Sequence, residues 1–282
     1  MTGNARLLMR MLRLGRQPAT AVYDSLGSEF FLSPAPGWLN LGLWEGPGDE
    51  HEAEAAVHRL VRTLASHLPT GGSILDVANG LGAQDSVIDD VASPRLLIAL
   101  NITESQLRAG REWLDAARAR PVLADAVRLP IRSHGVDGVI SIEAAFHFSS
   151  RPRFFGEVRR VLRRGGRLAM SDISVERRQP KSMSEVFAGF SNLRTWGIKR
   201  RALQSSAEIS ESLHRHGFTD IEIRSVGGRV FPPAIAFMRS RLEQSPDAPA
   251  TQRFGARLLL DQWDLLYQHR MVDYILATAT SP

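Results

Sequence analysis

Leu75-Asp76-Val77-Ala78-Asn79-Gly80-Leu81-Gly82-Ala83-Gln84-Asp85 is the stretch on which the fold turns. Residues 73–78 form an apolar run too short and too continuous for a helix, as expected of a strand covered on both faces. The run enters a glycine turn and then a helical pattern over 83–92. Gly80 and Gly82 permit backbone conformations, and a close approach of ligand, that a Cβ would block. A dinucleotide fingerprint would place a third glycine at 85, where this chain has Asp85, and no Gly-Lys-Ser/Thr follows. A nicotinamide-binding domain is therefore disfavoured and a P-loop excluded.

Working outward, short apolar runs recur at 96–100, 121–124, 136–142 and 167–170, with helical patterns before and between them at 52–68, 103–118 and 151–164. Strands alternating with helices predict parallel βαβ units and a doubly wound α/β sheet. After Asp172 the rhythm breaks. Residues 176–204 are polar, carry Pro180, Phe187, Phe190 and Trp196, and read as a substrate lid. A helix at 205–216, a strand at 221–226 and a helical pattern over 232–268, broken at 245–250, follow. Strands at 220–227 and 271–279 are expected to finish the sheet as an antiparallel edge. The aromatics Phe187, Phe190, Trp196, Phe231 and Phe237 either line an apolar cavity or form plain core.

Composition narrows the function classes. No stretch approaches 18 uncharged apolar residues, so no transmembrane helix is expected. The opening MTGNARLLMRMLRLGRQP mixes arginine into its apolar run, unlike a secretory signal, and a cytoplasmic location is expected. With no cysteine, disulfides, thiol catalysis and Cys-ligated zinc drop out. The net charge of +5 comes largely from scattered arginines, and two basic clusters stand out, Arg159-Arg160 with Arg163-Arg164 and Lys199-Arg200-Arg201. No aromatic stacking platform accompanies either cluster, so both read as solvated helix faces and no nucleic-acid partner is expected. Residues 6–14 form a basic amphipathic pattern that more often packs on its own domain than on a membrane.

Several residues carry candidate chemistry. The second strand ends at Asn101, where an acid commonly binds ribose hydroxyls; Asn bonds them without charge assistance. The third ends at Ala124-Asp125-Ala126, and Asp125 either accepts from an adenine amino group or caps a helix. His147, flanked by Phe146 and Phe148, is either a general base or an ordinary histidine. Glu143, His147 and Asp172 are chemically able to ligate a metal but match no ligand signature, so none is expected. Gly165 reads as a helix terminator.

The order LDVANGLGAQD, ALNIT, LADAVRLP, ISIEAAFHF, VLRRGGRLAMSDI resembles a class I S-adenosylmethionine (SAM)-dependent methyltransferase. Within that superfamily it is similar to bacterial natural-product O-methyltransferases of the erythromycin-type macrolide sugar and rebeccamycin-type glycoside kinds. The resemblance runs from about residue 20 to 175 and returns weakly near the C-terminus. It implies a Rossmann-like seven-stranded sheet in three parts: an N-terminal helical cap over the cofactor (1–50), a SAM-binding core (51–175), and lid helices with the last two strands (176–282). Tyr23 and the Trp38–Trp44 stretch, with Trp38 and Asn40, would cover SAM. Gly80 and Gly82 would approach its methionine part with Gln84 nearby, Asn101 would hold the ribose and Asp125 the adenine, and Asp76, Ala78, Ile102, Gln106 and Ala126 would also bind the cofactor. Glu143 would lie beside the cofactor, His147 would serve as general base and Asp172 would support it.

Three positions depart from the family: Ala78 for glycine, Asn101 for the ribose acid and Leu43 for tyrosine. The activity implied is O-methylation of a small-molecule hydroxylated acceptor, by a chain for which a homodimer is considered. Two alternatives stay open: a C-methyltransferase of a sterol-, quinone- or polyketide-like acceptor, and a methyltransferase-fold protein that binds a ligand or directs cyclisation without transferring methyl.

Overall fold

The structure, a computed structural model, describes residues 33–196, 198, 200–244 and 250–282. Tyr23 and the basic pattern at 6–14 lie outside the described residues, as does most of the 1–50 cap. Helix α1 (Glu50–Ala65) leads into β1 (Ser73–Val77), α2 (Ala83–Ala92), β2 (Leu96–Asn101), α3 (Glu104–Ala109) and α4 (Arg111–Ala116). Then come β3 (Arg120–Leu123), β4 (Val136–Ile142), α5 (Arg151–Val161) and the long β5 (Leu162–Ser174). The lid helix α6 (Met183–Thr195) precedes α7 (Ser206–Arg215), β6 (Thr219–Ser225), α8 (Phe231–Glu243), α9 (Ala250–Gln268) and β7 (Asp273–Thr280).

The strands form one sheet in the order β3-β2-β1-β4-β5-β7-β6. The first five are parallel, and β7 runs antiparallel between β5 and β6, so the expected edge pair enters the sheet as written. Strand order reverses at β1, between β2 and β4, which opens a crevice at their carboxyl ends.

Period-two alternation sends neighbours to opposite cores. Ile74 and Ile140 join Leu60, Leu64 and Phe237 under α1 and α8, while Leu75 and Val139 join Phe154 and Leu213 under α5 and α7. Helix ends follow local chemistry: Ser205 and Glu208 form a reciprocal capping box on α7, and the Ser150 hydroxyl accepts the Arg153 amide on α5.

Two local readings need correction. The helix read over 103–118 is two short helices meeting at Gly110, where the missing Cβ lets the Leu81 carbonyl pack against the junction, since a Cβ would stand 1.9 Å from its oxygen. Gly165 does not terminate a helix: α5 has already ended, and Leu162 is extended and paired with Val136. The register shift between Val136 and Gly138 absorbs the extra residues of β5. Among the described residues no helix is long and apolar enough to cross a membrane.

Candidate active site

The glycine turn after β1 carries three left-handed residues in five, Ala78 (φ 63°), Gly80 (φ 62°) and Gly82 (φ 90°). For alanine that conformation costs roughly 1–2 kcal/mol, which the Ala78 amide, bonded to the Leu100 carbonyl at 2.7 Å, helps to offset. From the end of β2, buried Asn101 reaches over the turn. Its amide donates to the Gly80 carbonyl and to Gln106 Oε1, each at 3.0 Å, while its Oδ1 accepts the Thr103 amide. Asn101 thus holds the turn in shape and keeps little free capacity for a ligand.

Two carboxyls lie beneath the turn. Asp76 and Asp85 are fully buried, and Gln84 Nε2 donates to Asp76 at 2.6 Å. Burial lifts Asp76 to about 7, and burial together with Asp76 lifts Asp85 well above the usual carboxylate range, so the pair holds a proton at neutral pH.

The surroundings fit an adenosine-bearing cofactor. Gln106 Nε2 and Asn79 Oδ1 are buried beside the turn without hydrogen-bond partners among the described residues. Ile102 and Leu123, at the ends of β2 and β3, are 52% and 55% exposed, bare apolar surface that a flat base would cover. Asp125 is exposed at the rim, where its Oδ1 accepts the Val127 amide at 3.1 Å, and Ala126 is buried. Asp125 therefore makes a local turn and does not cap a helix.

A cavity of about 450 Å³ lies beside this crevice. The strap residues Trp38, Leu39, Asn40 and Leu41 wall one side, Glu143, Phe146 and His147 another, and α6, α8 and α9 the rest. Trp38 is buried against His58, and Asn40 Oδ1 accepts the Gly42 amide, so both shape the strap. Glu143 stands at φ 50° just after β4. Its Oε1 accepts the Leu41 amide and the Tyr274 hydroxyl, each at 2.7 Å, which ties the strap to β7. Desolvation and the nearby Asp172 raise it to about 7 against those two hydrogen bonds.

His147 ends a single 3₁₀ turn, with the ring of Phe146 at 4.0 Å and that of Trp196 at 6.5 Å. Desolvation lowers it to about 3, although a hydrogen bond that the ring donates to the Trp196 backbone opposes the shift. The imidazole is consequently neutral at any ordinary pH. Asp172, fully buried, accepts Arg151 Nε at 2.7 Å and the amides of Phe146 and Ile173 at 3.1 and 2.9 Å. It reaches the His147 turn through that Phe146 amide.

The structure therefore gathers the expected residues into two groups: Asp76, Ala78, Gly80, Gly82, Gln84, Asn101 and Gln106 about the turn, and Trp38, Asn40, Glu143 and His147 about the cavity. Of the aromatics expected to line a cavity or form core, Phe190, Trp196 and Phe231 line the cavity, Phe237 is core and Phe187 is neither. Phe187 is 57% exposed, and Phe237 is core against Trp44. Sequence reasoning missed Arg151 and Tyr274. Nothing local marks them, because their partners lie 21 and 131 residues away. Among the described residues no group of three His, Cys, Asp or Glu side chains is arranged to hold a metal ion.

Residues 75–170 match the methyltransferase domain family. Erythromycin 3''-O-methyltransferase of Saccharopolyspora erythraea is 26% identical over 277 residues, covering 94% of this chain and 90% of that enzyme. Geranyl diphosphate C-methyltransferase of Streptomyces coelicolor A3(2), solved with S-adenosylhomocysteine, superposes with a TM-score of 0.67 at 16% identity, over 94% of this chain and all of the other. The [4+2]-cyclase SpnF superposes with a TM-score of 0.70 at 17% identity, over 94% and 97% of the two chains. The sheet order is that of the class I SAM-dependent methyltransferase fold, and the methyltransferase domain match runs from the glycine turn after β1 into β5.

Proposed function

We propose that the protein transfers a methyl group to a hydroxyl of a small-molecule natural product, with His147 as the general base. The observation that carries this reading is the position of His147. A neutral imidazole stands in the wall of an apolar cavity at the carboxyl edge of β4, on a turn that Asp172 fixes through the Phe146 amide. The name of the erythromycin relative supports hydroxyl as the acceptor group and a natural product as its bearer.

When bound, SAM supplies a methyl group already activated on a sulfonium. The turn from Ala78 to Gly82 with Gln84 would hold its methionine part, Gln106, whose Nε2 is unpartnered among the described residues, the ribose, and Ile102, Asp125 and Ala126 the adenine, while Asn101 shapes the turn. The strap and the lid exclude water from the acceptor. An alcohol oxygen becomes strongly acidic as it gains a bond to carbon, so a weak base suffices to take its proton. His147, in its base form above pH 3, receives that proton on its imidazole. Asp172 acts as a positioning residue, holding the turn while Arg151 balances its charge.

A second reading is favoured by Asn101, whose amide is spent inside the protein, and by the strained Ala78. Both would weaken cofactor binding, as suits a protein that binds or cyclises its ligand without methyl transfer. The test is incubation with SAM and a panel of hydroxylated natural products, glycosylated macrolides included, read by mass spectrometry and product NMR. A mass gain of one methylene on oxygen supports the proposal, and the same gain on carbon overturns it. Rearrangement of an acceptor without gain in mass establishes the second reading.

A further inference from the structure

Two acidic side chains line the cavity among the described residues, Glu143 and Glu185. Glu185 is fully committed at the start of the lid: Arg177 grips both its oxygens, the Lys181 amide donates to one of them, and His269 lies against the other at 2.6 Å. Glu143 differs. Its two hydrogen-bond partners, the Leu41 amide and the Tyr274 hydroxyl, are neutral, and no ion pair joins it among the described residues. The ionisable groups around it supply no counter-charge. Asp172 adds like charge and already holds Arg151. His147 is neutral, and burial pushes the Tyr274 hydroxyl well above its ordinary value.

Glu143 also has a telling position. It follows β4, the strand paired with β1, so it stands where the glycine-turn crevice meets the acceptor cavity. A methyl group that leaves the crevice for the cavity must pass this wall, and before transfer it belongs to a cation. We propose that the Glu143 carboxylate is the counter-ion for the positive charge of the methyl donor, so that the site distinguishes charged SAM from its uncharged product in a pH-dependent way. This rests on the methyltransferase reading and adds a discrimination to it.

The physical consequence is reciprocal. A cation beside Glu143 stabilises the ionised form, and the ionised form strengthens binding of the cation. Once the methyl group has left, the sulfur is neutral and Glu143 again lacks a counter-charge, which weakens retention of product relative to donor. With Glu143 raised to about 7, donor affinity rises with pH through neutrality, while product affinity gains nothing from this group. The Asp76–Asp85 pair under the glycine turn titrates as well, so the Glu143→Gln variant is what separates its effect from that of Glu143.

Calorimetric titration of the whole protein with SAM and with S-adenosylhomocysteine, at pH 6 and pH 8, tests the inference without an acceptor. The ratio of donor to product affinity is expected to rise about tenfold between the two pH values, the effect of roughly one pKa unit of differential interaction. In Glu143→Gln, which keeps an oxygen for the Leu41 amide and the Tyr274 hydroxyl, the ratio should stay flat. A flat ratio in the unmodified protein, or an equal rise in Glu143→Gln, overturns the inference and leaves the methyltransferase reading standing. Folded protein that binds neither ligand overturns that reading, and the inference with it.

Discussion

Asn101 donates its side-chain amide to the Gly80 carbonyl at 3.0 Å, so the end of the second strand grips the cofactor turn from above. The family's acid at this position cannot donate. In Asn101→Asp the carboxylate would face the Gly80 carbonyl and Gln106 Oε1 with two donors lost, a cost of about 1–3 kcal/mol. Restoring the family residue is therefore expected to lower stability and to leave SAM affinity no better. Urea unfolding with calorimetry decides: tighter SAM binding at unchanged stability would contradict the structural role given to Asn101.

Ala78 occupies a left-handed conformation where the family has glycine. Ala78→Gly removes the Cβ clash but adds freedom to the unfolded chain, so the net gain is expected to be roughly 0.5–1 kcal/mol. A lower urea midpoint for the variant would show that Ala78 is not strained.

Arg151 is 2% exposed and holds Asp172, the Ile173 carbonyl and the Ala202 carbonyl at once. Arg151→Met would leave Asp172 as an uncompensated buried charge, for a loss of about 3–5 kcal/mol. The double variant Arg151→Met, Asp172→Leu should recover much of that stability. Additive losses in the double-mutant cycle would mean the two residues act independently.

His147→Ala is expected to cut turnover about 10²- to 10⁴-fold. The ring lies in the acceptor wall, so SAM affinity should change little. Equal losses in turnover and in SAM binding would remove the base assignment.

Stability should depend on pH in two opposing ways. Glu143, at about 7 in the fold against an ordinary 4.5, makes a contribution that is full below pH 4.5 and lost as pH rises through 7. His147, at about 3 against 6.5, makes a contribution that is full above pH 6.5 and lost as pH falls toward 3. Glu143→Gln should thus gain on the unmodified protein by about 1–3 kcal/mol between pH 4.5 and pH 8. Urea midpoints at the two pH values measure this, and an unchanged difference would show that Glu143 titrates normally in the fold.

Local pattern carried the fold. The apolar runs at 73–78 and 136–142, the glycines at 80 and 82 and the Ser205–Glu208 cap specify strands, a turn and a helix start through neighbours a few residues away. Repetition of strand and helix then leaves few arrangements other than a doubly wound sheet. The boundary expected at Gly165 shifted because Leu162 pairs with Val136, outside the local window.

The chemistry of the site was decided by tertiary structure. The sequence names Glu143, His147, Asn101 and Asp172, but their states depend on Tyr274, Trp196, Gly80 and Arg151, brought close only when the sheet closes and the lid packs on α9. Hydrogen bonding and desolvation act over a few ångströms of space, whatever the separation along the chain. The same carboxylate in an open loop would be an ordinary acid. Packed beneath Leu41 and Tyr274, it holds a proton up to about pH 7.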